Sequence, residues 1–136
     1  MSNSITQPVN YFYETFAKRH DVAAAGDAFT MDAVIHWNSQ TMDRLHYQQV
    51  GHAFLAGFPD MDYQVEDQFV AGDKVITRGT WSGTNTGSLM GMPVTGKRYS
   101  SAGMVIDRVV DGKIAERWEL GDTLGMLQQL GLAPTP

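Results

Sequence analysis

Two long alternating segments, residues 99–109 and 113–120, meet at Asp111-Gly112, a dipeptide strongly favoured in tight β-hairpin turns. A hairpin of that length is stable only with further strands or helices against one face. The chain supplies both. Upstream, Tyr63, Val65, Asp67 and Phe69 alternate with Asp62, Gln64, Glu66 and Gln68, the pattern of a half-buried strand. It turns at Ala71-Gly72-Asp73 onto a second strand over 75–81, and a Gly/Ser/Thr-rich loop over 83–96 leads into the hairpin.

The first half of the chain has the helical period instead. Ile5, Val9, Phe12, Tyr13 and Phe16 form one apolar stripe running to about Arg19, with Thr6 before Pro8 as its start. An Ala-rich helical segment over 22–29 is interrupted by Gly26, and a short strand over 33–37 sets Val34 and His36 on one face and Ile35 and Trp37 on the other. A helix over 41–57 has Leu45, Val50, Ala53, Phe54 and Phe58 as inward positions, and Phe58-Pro59-Asp60 ends it. A last short helix spans 123–130. Helices first and an antiparallel meander after them define an α+β fold, a single domain over 1–136 in which a curved sheet wraps helices around a pocket.

Composition removes whole classes of function. The chain has no cysteine, which excludes disulfides, thiolate catalysis and Cys-ligated metal centres. A formal charge of −5 with ten scattered basic residues offers no footprint for a phosphate backbone, so no nucleic-acid partner is expected. GxGxxG, GxxxxGK[ST] and HExxH are absent, and His36, His46 and His52 lack a metal-ligand spacing, so neither metal nor organic cofactor is expected. No apolar run approaches the roughly 20 residues of a membrane span, and the N-terminus lacks the pattern of a leader. The expectation is a cytoplasmic protein.

The segment Ile114-Ala115-Glu116-Arg117-Trp118-Glu119-Leu120-Gly121-Asp122 carries the chemistry. Asp122 follows a strand and precedes a helix, so it is either a proton-transfer group delivered to a pocket or the N-cap of that helix. The hairpin has two readings. A three-residue loop, Val110-Asp111-Gly112, pairs Ile106 with Glu116 and sets Met104, Ile106, Arg108, Ile114, Glu116 and Trp118 on one face, a cavity or core wall. A two-residue loop moves Arg108 to the opposite face. Trp118 is then a flat wall for a ligand or simply core, and Arg108 with Glu116 a site pair or a surface ion pair. His36 is a pocket donor or a hydrogen-bonded core histidine, and Tyr13 and Phe16 are core or pocket lining. Met90, Met92 and Leu89 give the 83–96 loop an apolar contact surface suited to bordering or gating a pocket entrance.

Phe58-Pro59-Asp60, Gly72-Asp73-Lys74-Val75, the stretch from Gly87 through Met90-Gly91-Met92-Pro93 to Lys97, and Asp111-Gly112-Lys113-Ile114 continuing to Trp118 occur in an order, with Asp122 and Gln129-Leu130-Gly131 beyond, that resembles the SnoaL-like polyketide cyclases and ester cyclases of the NTF2-like superfamily. The resemblance implies a cystatin-like α+β cone with a deep apolar pocket, a homodimer or larger homo-oligomer, and catalysis without a cofactor. It implies that Asp122 is the general acid/base of an intramolecular aldol ring closure. The histidine that assists in that family falls at Arg108 here, and arginine does not exchange protons near neutral pH. The expected function is therefore acid–base catalysis on a hydrophobic carbonyl compound. Asp122, Arg108 and His36 are the expected catalytic residues, and Trp118, Glu116, Tyr13, Phe16, Met104, Ile106 and Met90 are expected to contact substrate. A ketosteroid-isomerase-like isomerase, an epoxide hydrolase with an arginine poised between two acids, and a non-catalytic binding module are the rivals on the same fold. Trp81, Trp37 and Ile35 are the residues expected on the outer, oligomer-forming face.

Overall fold

The helical stripe near the N-terminus becomes α1, Gln7–Tyr13, with Pro8 in its first turn and Val9, Phe12 and Tyr13 buried. The computed structural model describes residues 4–136; residues 1–3, where the leader expectation begins, lie outside them. A π-helical turn, Glu14–Lys18, continues α1 and keeps Phe16 and Ala17 in the core. The next helix, α2, is only Val22–Ala25, capped by Asp21, and a 3₁₀ turn over Gly26–Ala28 follows. It is shorter than the Ala-rich run suggests because Phe29 already begins β1, Phe29–Trp37.

Residues 41–43, expected as helix, belong instead to a short strand, β2, Gln40–Asp43, that folds back on β1. The Asp43 carboxylate accepts the His46 N–H at 2.8 Å and starts α3, Arg44–Gly57, three residues later than the periodicity suggests. The later start leaves Leu45 on the solvent side, 65% exposed, and Tyr47, Val50 and Phe54 toward the core. Then come β3, Asp62–Ala71, and β4, Lys74–Thr84; β5, Arg98–Val110, and β6, Lys113–Gly121; and α4, Thr123–Gln129. The six strands form one sheet in the order β2-β1-β6-β5-β4-β3, antiparallel except where β1 lies parallel to β6. In β3 the alternation fails after Tyr63: the register shifts between Val65 and Asp67, and Val65 and Phe69 stand exposed.

The hairpin turn is the two-residue one. Asp111 and Gly112 both have positive φ, 49° and 76°, and Val110 pairs with Lys113. A bulge at Ala115 then shifts the phase of β6, so Val109 faces Ile114 but Arg108 faces Glu116 directly and Ile106 faces Trp118. Met104, Ile106, Arg108, Glu116 and Trp118 do share a face, without Ile114. It is the outer face of the sheet, and the expected cavity wall is reversed: Val105, Asp107, Arg117 and Glu119 point inward.

The three residues expected outside are also inside. Ile35 is fully buried, and Trp37 and Trp81 face the helices. Trp81 can lie flat against β5 only because Gly103 has no side chain; a Cβ there would stand 2.7 Å from the indole. The loop between β4 and β5 folds onto the end of α3, where Leu89 packs against Gly57. Asn85, buried, ties it down by donating to the carbonyls of Gly57 and Gly87 and accepting from the backbone and hydroxyl of Thr95.

Candidate functional site

Between the concave face of the sheet and α1, α2, α3 and α4 lies a cavity of about 830 Å³, its mouth included. Its walls are mostly apolar: Phe12, Phe16, Trp37, Phe54, Trp81 and Met126. The polar lining is sparse and convergent, with Tyr47, Arg44 and Gln48 from α3, Ser101 from β5, Asn38 after β1, Glu119 on β6, and Asp122 with Thr123 at its end.

Asp122 holds both of the positions that its sequence context allowed. Its Oδ1 accepts the Gly125 N–H at 2.8 Å, so it caps α4, and the same residue borders the cavity. The carboxylate lies over Gly125, where a Cβ would come within 2.2 Å of Oδ2. Asn38 secures the backbone just before it: its Oδ1 accepts the Gly121 N–H at 3.0 Å, and its amide donates to the Thr123 hydroxyl at 3.3 Å.

Beneath the cavity is a buried ionic cluster. Arg117 is fully buried and donates Nε–H to Asp107 Oδ1 at 2.7 Å and Nη2–H to Oδ2 at 3.1 Å, the bidentate geometry that favours this pair. Its guanidinium carbon lies 4.2 Å from the centre of the Phe12 ring. Burial, the largest single influence, works against its charge, but Asp107 together with Tyr13 and Tyr47 outweighs it and keeps the guanidinium protonated. Nη1–H donates to the Tyr47 hydroxyl at 3.1 Å, and Tyr47 in turn donates to Glu119 Oε1. Arg117 Nη1 is 3.8 Å from that same oxygen. Burial pushes the Glu119 carboxyl up from its ordinary value, against the pull of Arg117 and the Tyr47 hydrogen bond. Burial, aided by Glu119, pushes the Tyr47 phenol up as well, so it stays a donor.

Of the residues singled out from sequence, Asp122 and Phe16 line the cavity. Tyr13 lies in the core beside it, stacked on Tyr63 at 4.6 Å. Met90 stands exposed on its loop, and no residue of 83–96 lines the cavity, so the loop does not border the entrance as expected. His36, Arg108, Glu116 and Trp118 come together on the far side of the sheet, with Met104 and Ile106 exposed beside them. There the His36 ring stacks on Trp118, its Nε2 is 2.7 Å from Glu116 Oε2, and Arg108 donates to Glu116 Oε1 at 3.3 Å. His36 and Arg108 together hold the Glu116 carboxyl below its usual range.

Sequence reasoning missed Glu119, Tyr47, Asp107 and Arg117. Their one trace in sequence is the pair of opposite charges set among apolar residues of facing strands, readable only once the Ala115 bulge is placed. Among the described residues no three His, Asp or Glu side chains are grouped to hold a metal ion, and no helix is long and apolar enough to cross a membrane.

A curved sheet closed by helices over an apolar cavity is the NTF2-like architecture. Within that class the chain belongs to the SnoaL-like polyketide cyclase family, whose model matches residues 7–130. It is 46% identical over 55 residues to the aklanonic acid methyl ester cyclase DnrD of Streptomyces peucetius, covering 40% of this chain and 38% of that one. It is 37% identical over 65 residues to the nogalonic acid methyl ester cyclase of Streptomyces nogalater, covering 43% and 48%. The matches thus span less than half the length of these curated relatives. The crystal structure of IdmH, a proposed polyketide cyclase from Streptomyces antibioticus, superposes with a TM-score of 0.84 at 32% identity, over 95% of this chain and 99% of that one.

Proposed function

We propose that the protein catalyses cofactor-independent ring closure of a hydrophobic, ester-bearing polyketide by intramolecular aldol addition, with Asp122 as general acid/base. The observation that carries this reading is the position of Asp122, where the inner face of β6 ends at the rim of an apolar cavity. One oxygen is held by the Gly125 amide, and Oδ2 accepts no hydrogen bond among the described residues. Aldol closure needs a proton taken from carbon and a proton given to oxygen, and a carboxylate at the edge of an apolar cavity is suited to both. The flat aromatic walls suit a planar fused-ring precursor.

The test is direct. Aklanonic acid methyl ester and nogalonic acid methyl ester, the substrates named for the relatives, are incubated with the protein, and a product of unchanged mass and altered ring count is sought by NMR. Asparagine caps a helix about as well as aspartate, so Asp122→Asn should leave stability within about 0.5 kcal/mol. It cannot exchange a proton, and turnover should fall roughly 10²–10⁴-fold. An Asn variant with wild-type turnover removes Asp122 from the mechanism.

A second reading has its own observation. Water activation for epoxide opening calls for an arginine between two acids, and Asp107, Arg117 and Glu119 have that arrangement, with Glu119 at the cavity. Such a reaction adds the mass of water to its product and survives Asp122→Asn, which separates it from ring closure.

A further inference from the structure

With Asp122 at one end of the cavity, the opposite end has a charge of its own. Arg44, in the first turn of α3, is the one cation among the described residues that line the cavity, and Gln48 follows it one turn later on the same face of the helix. Arg44 is half-buried and donates Nη1–H to the Gly26 carbonyl at 3.3 Å. Among the described residues its side chain makes no other hydrogen bond and pairs with no carboxylate. The Gln48 amide lies over Gly26, where a Cβ would stand 2.0 Å from Nε2, and it has no hydrogen-bond partner among the described residues. Gly26 therefore does two things: its missing side chain makes room for the amide, and its carbonyl aims the guanidinium. Val22, Ala25 and Phe29 make the rest of this corner apolar. Arg117 offers nothing comparable, because Asp107 and Tyr47 already fill its fork.

The separation of the two ends follows from α3. Phe54 lies ten residues beyond Arg44, about 15 Å along the helix at the usual rise. The Phe54 ring packs edge-on against Trp37, and Asn38, the next residue, holds the Gly121 amide beside Asp122. A fused-ring ligand covers such a span and a single ring does not. When an apolar ligand fills the cavity it strips water from the Arg44 fork, and only acceptor oxygens on that ligand restore the lost hydrogen bonds. We propose that Arg44, with Gln48 beside it, binds an oxyanion spread over two neighbouring oxygens at the end of the substrate remote from Asp122. A carboxylate and the enolate of a 1,3-dicarbonyl both present such a pair of oxygens to the planar guanidinium. The inference rests on the ring-closure reading for what lies at the Asp122 end, and it narrows the substrate to a fused-ring ester with an acidic group at its far end.

Three flat probes test it by calorimetry at neutral pH: 2-naphthoate, the enolate of 2-acetylindane-1,3-dione, and the uncharged methyl 2-naphthoate. At least one anion should bind the wild-type protein roughly tenfold or more tightly than the ester, the effect of one charge-assisted hydrogen bond. Arg44→Met keeps the length of the side chain without its charge. It should weaken that anion by roughly tenfold or more and leave the ester within about threefold. Gln48→Leu should weaken the anion by a smaller factor. A preference for naphthoate alone identifies the group as a carboxylate, and one for the indanedione alone as a dicarbonyl enolate. Wild-type protein that favours neither anion over the ester overturns the proposal, as does a preference that survives Arg44→Met. Asp122→Asn should keep the preference. Because binding is read without turnover, a failure of ring closure leaves this result standing, and loss of the preference leaves the role of Asp122 untouched.

Discussion

Glu119 and Glu116 stand three residues apart on one strand and are pushed in opposite directions, because one faces the buried cluster and the other the solvent side of the sheet. The consequence is a pH dependence of stability with two limbs. Glu119 has its carboxyl raised above the ordinary 4.5 by burial, so between 4.5 and the raised value the folded chain holds a proton the unfolded chain has lost. Stability therefore falls as pH rises through that window. Glu116 is held low by His36 and Arg108, and Asp60 by hydrogen bonds from the Thr84 backbone and hydroxyl. For these two the unfolded chain takes the proton first as pH falls, so their contribution is present above the ordinary carboxylate range and is lost in acid. Urea unfolding across pH should show a maximum in the mildly acidic range. Burial raises the Asp107 carboxyl as well, so Glu119→Gln should make the limb above it shallower without removing it, and should leave the acid limb unchanged. An unaltered upper limb in that variant would mean that Glu119 ionises in the fold as it does in the unfolded chain.

At the scale of the element, everything about the site turns on the one-residue bulge at Ala115. With it, Ile114 enters the core and Arg117 and Glu119 still face inward; with every residue kept and no bulge, one of these sets must point out. Deleting Ala115 takes out the one extra residue and leaves Ile114 and Arg117 at regular alternating spacing, both still inward and Arg117 still opposite Asp107. Parting Arg117 from Asp107 would cost about 3–5 kcal/mol, a large part of the roughly 5–15 kcal/mol that holds a domain together. The deletion should therefore keep cooperative unfolding followed by circular dichroism, and Ala115→Gly should melt within a few degrees of wild type. A deletion variant that loses cooperative unfolding would show that Ala115 does more than add a residue to β6. The same bulge marks the limit of what the sequence reveals. Strand existence, the Asp111-Gly112 turn and the inward face of α1 follow from period and turn chemistry, and the structure has them. A bulge has no residue preference strong enough to announce itself, and unbroken alternation sets apolar Ile114 on the face of Glu116 and Trp118. That face then reads as the cavity wall and carries Arg108 with it. Asp122 escaped the error because it lies past the strand, where the cap residue and the rim of the cavity coincide.

Seen whole, the sheet is covered by helices on its concave side, around the cavity, and bare on its convex side. Helices cover the inner face of the sheet, but among the described residues no element covers the outer face of β1, β6 and β5, where Val34, Met104, Ile106 and Leu120 are exposed, Leu120 to 66% and Met104 to 54%. The aromatic residues expected there, Trp37 and Trp81, have gone to the cavity, yet the face remains apolar through aliphatic side chains instead. At its centre Arg108 and Glu116 neutralise one another, with His36 hydrogen-bonded to Glu116 and stacked on Trp118, which lowers the cost of removing the cluster from water. The prediction for this surface is a second copy of this chain, since a two-fold axis would bring the same apolar rows face to face. Light scattering at micromolar concentration should therefore give twice the 15.0 kDa chain mass. Replacing Leu120 or Met104 by glutamate puts like charges across the axis and should yield a folded monomer. Because the cavity opens on the other side of the sheet, ring closure of the methyl ester substrates by that monomer should stay within about threefold of wild type, an effect under 1 kcal/mol. A wild-type mass of one chain, or a Leu120→Glu variant that remains dimeric, would place the partner elsewhere on the molecule or remove it.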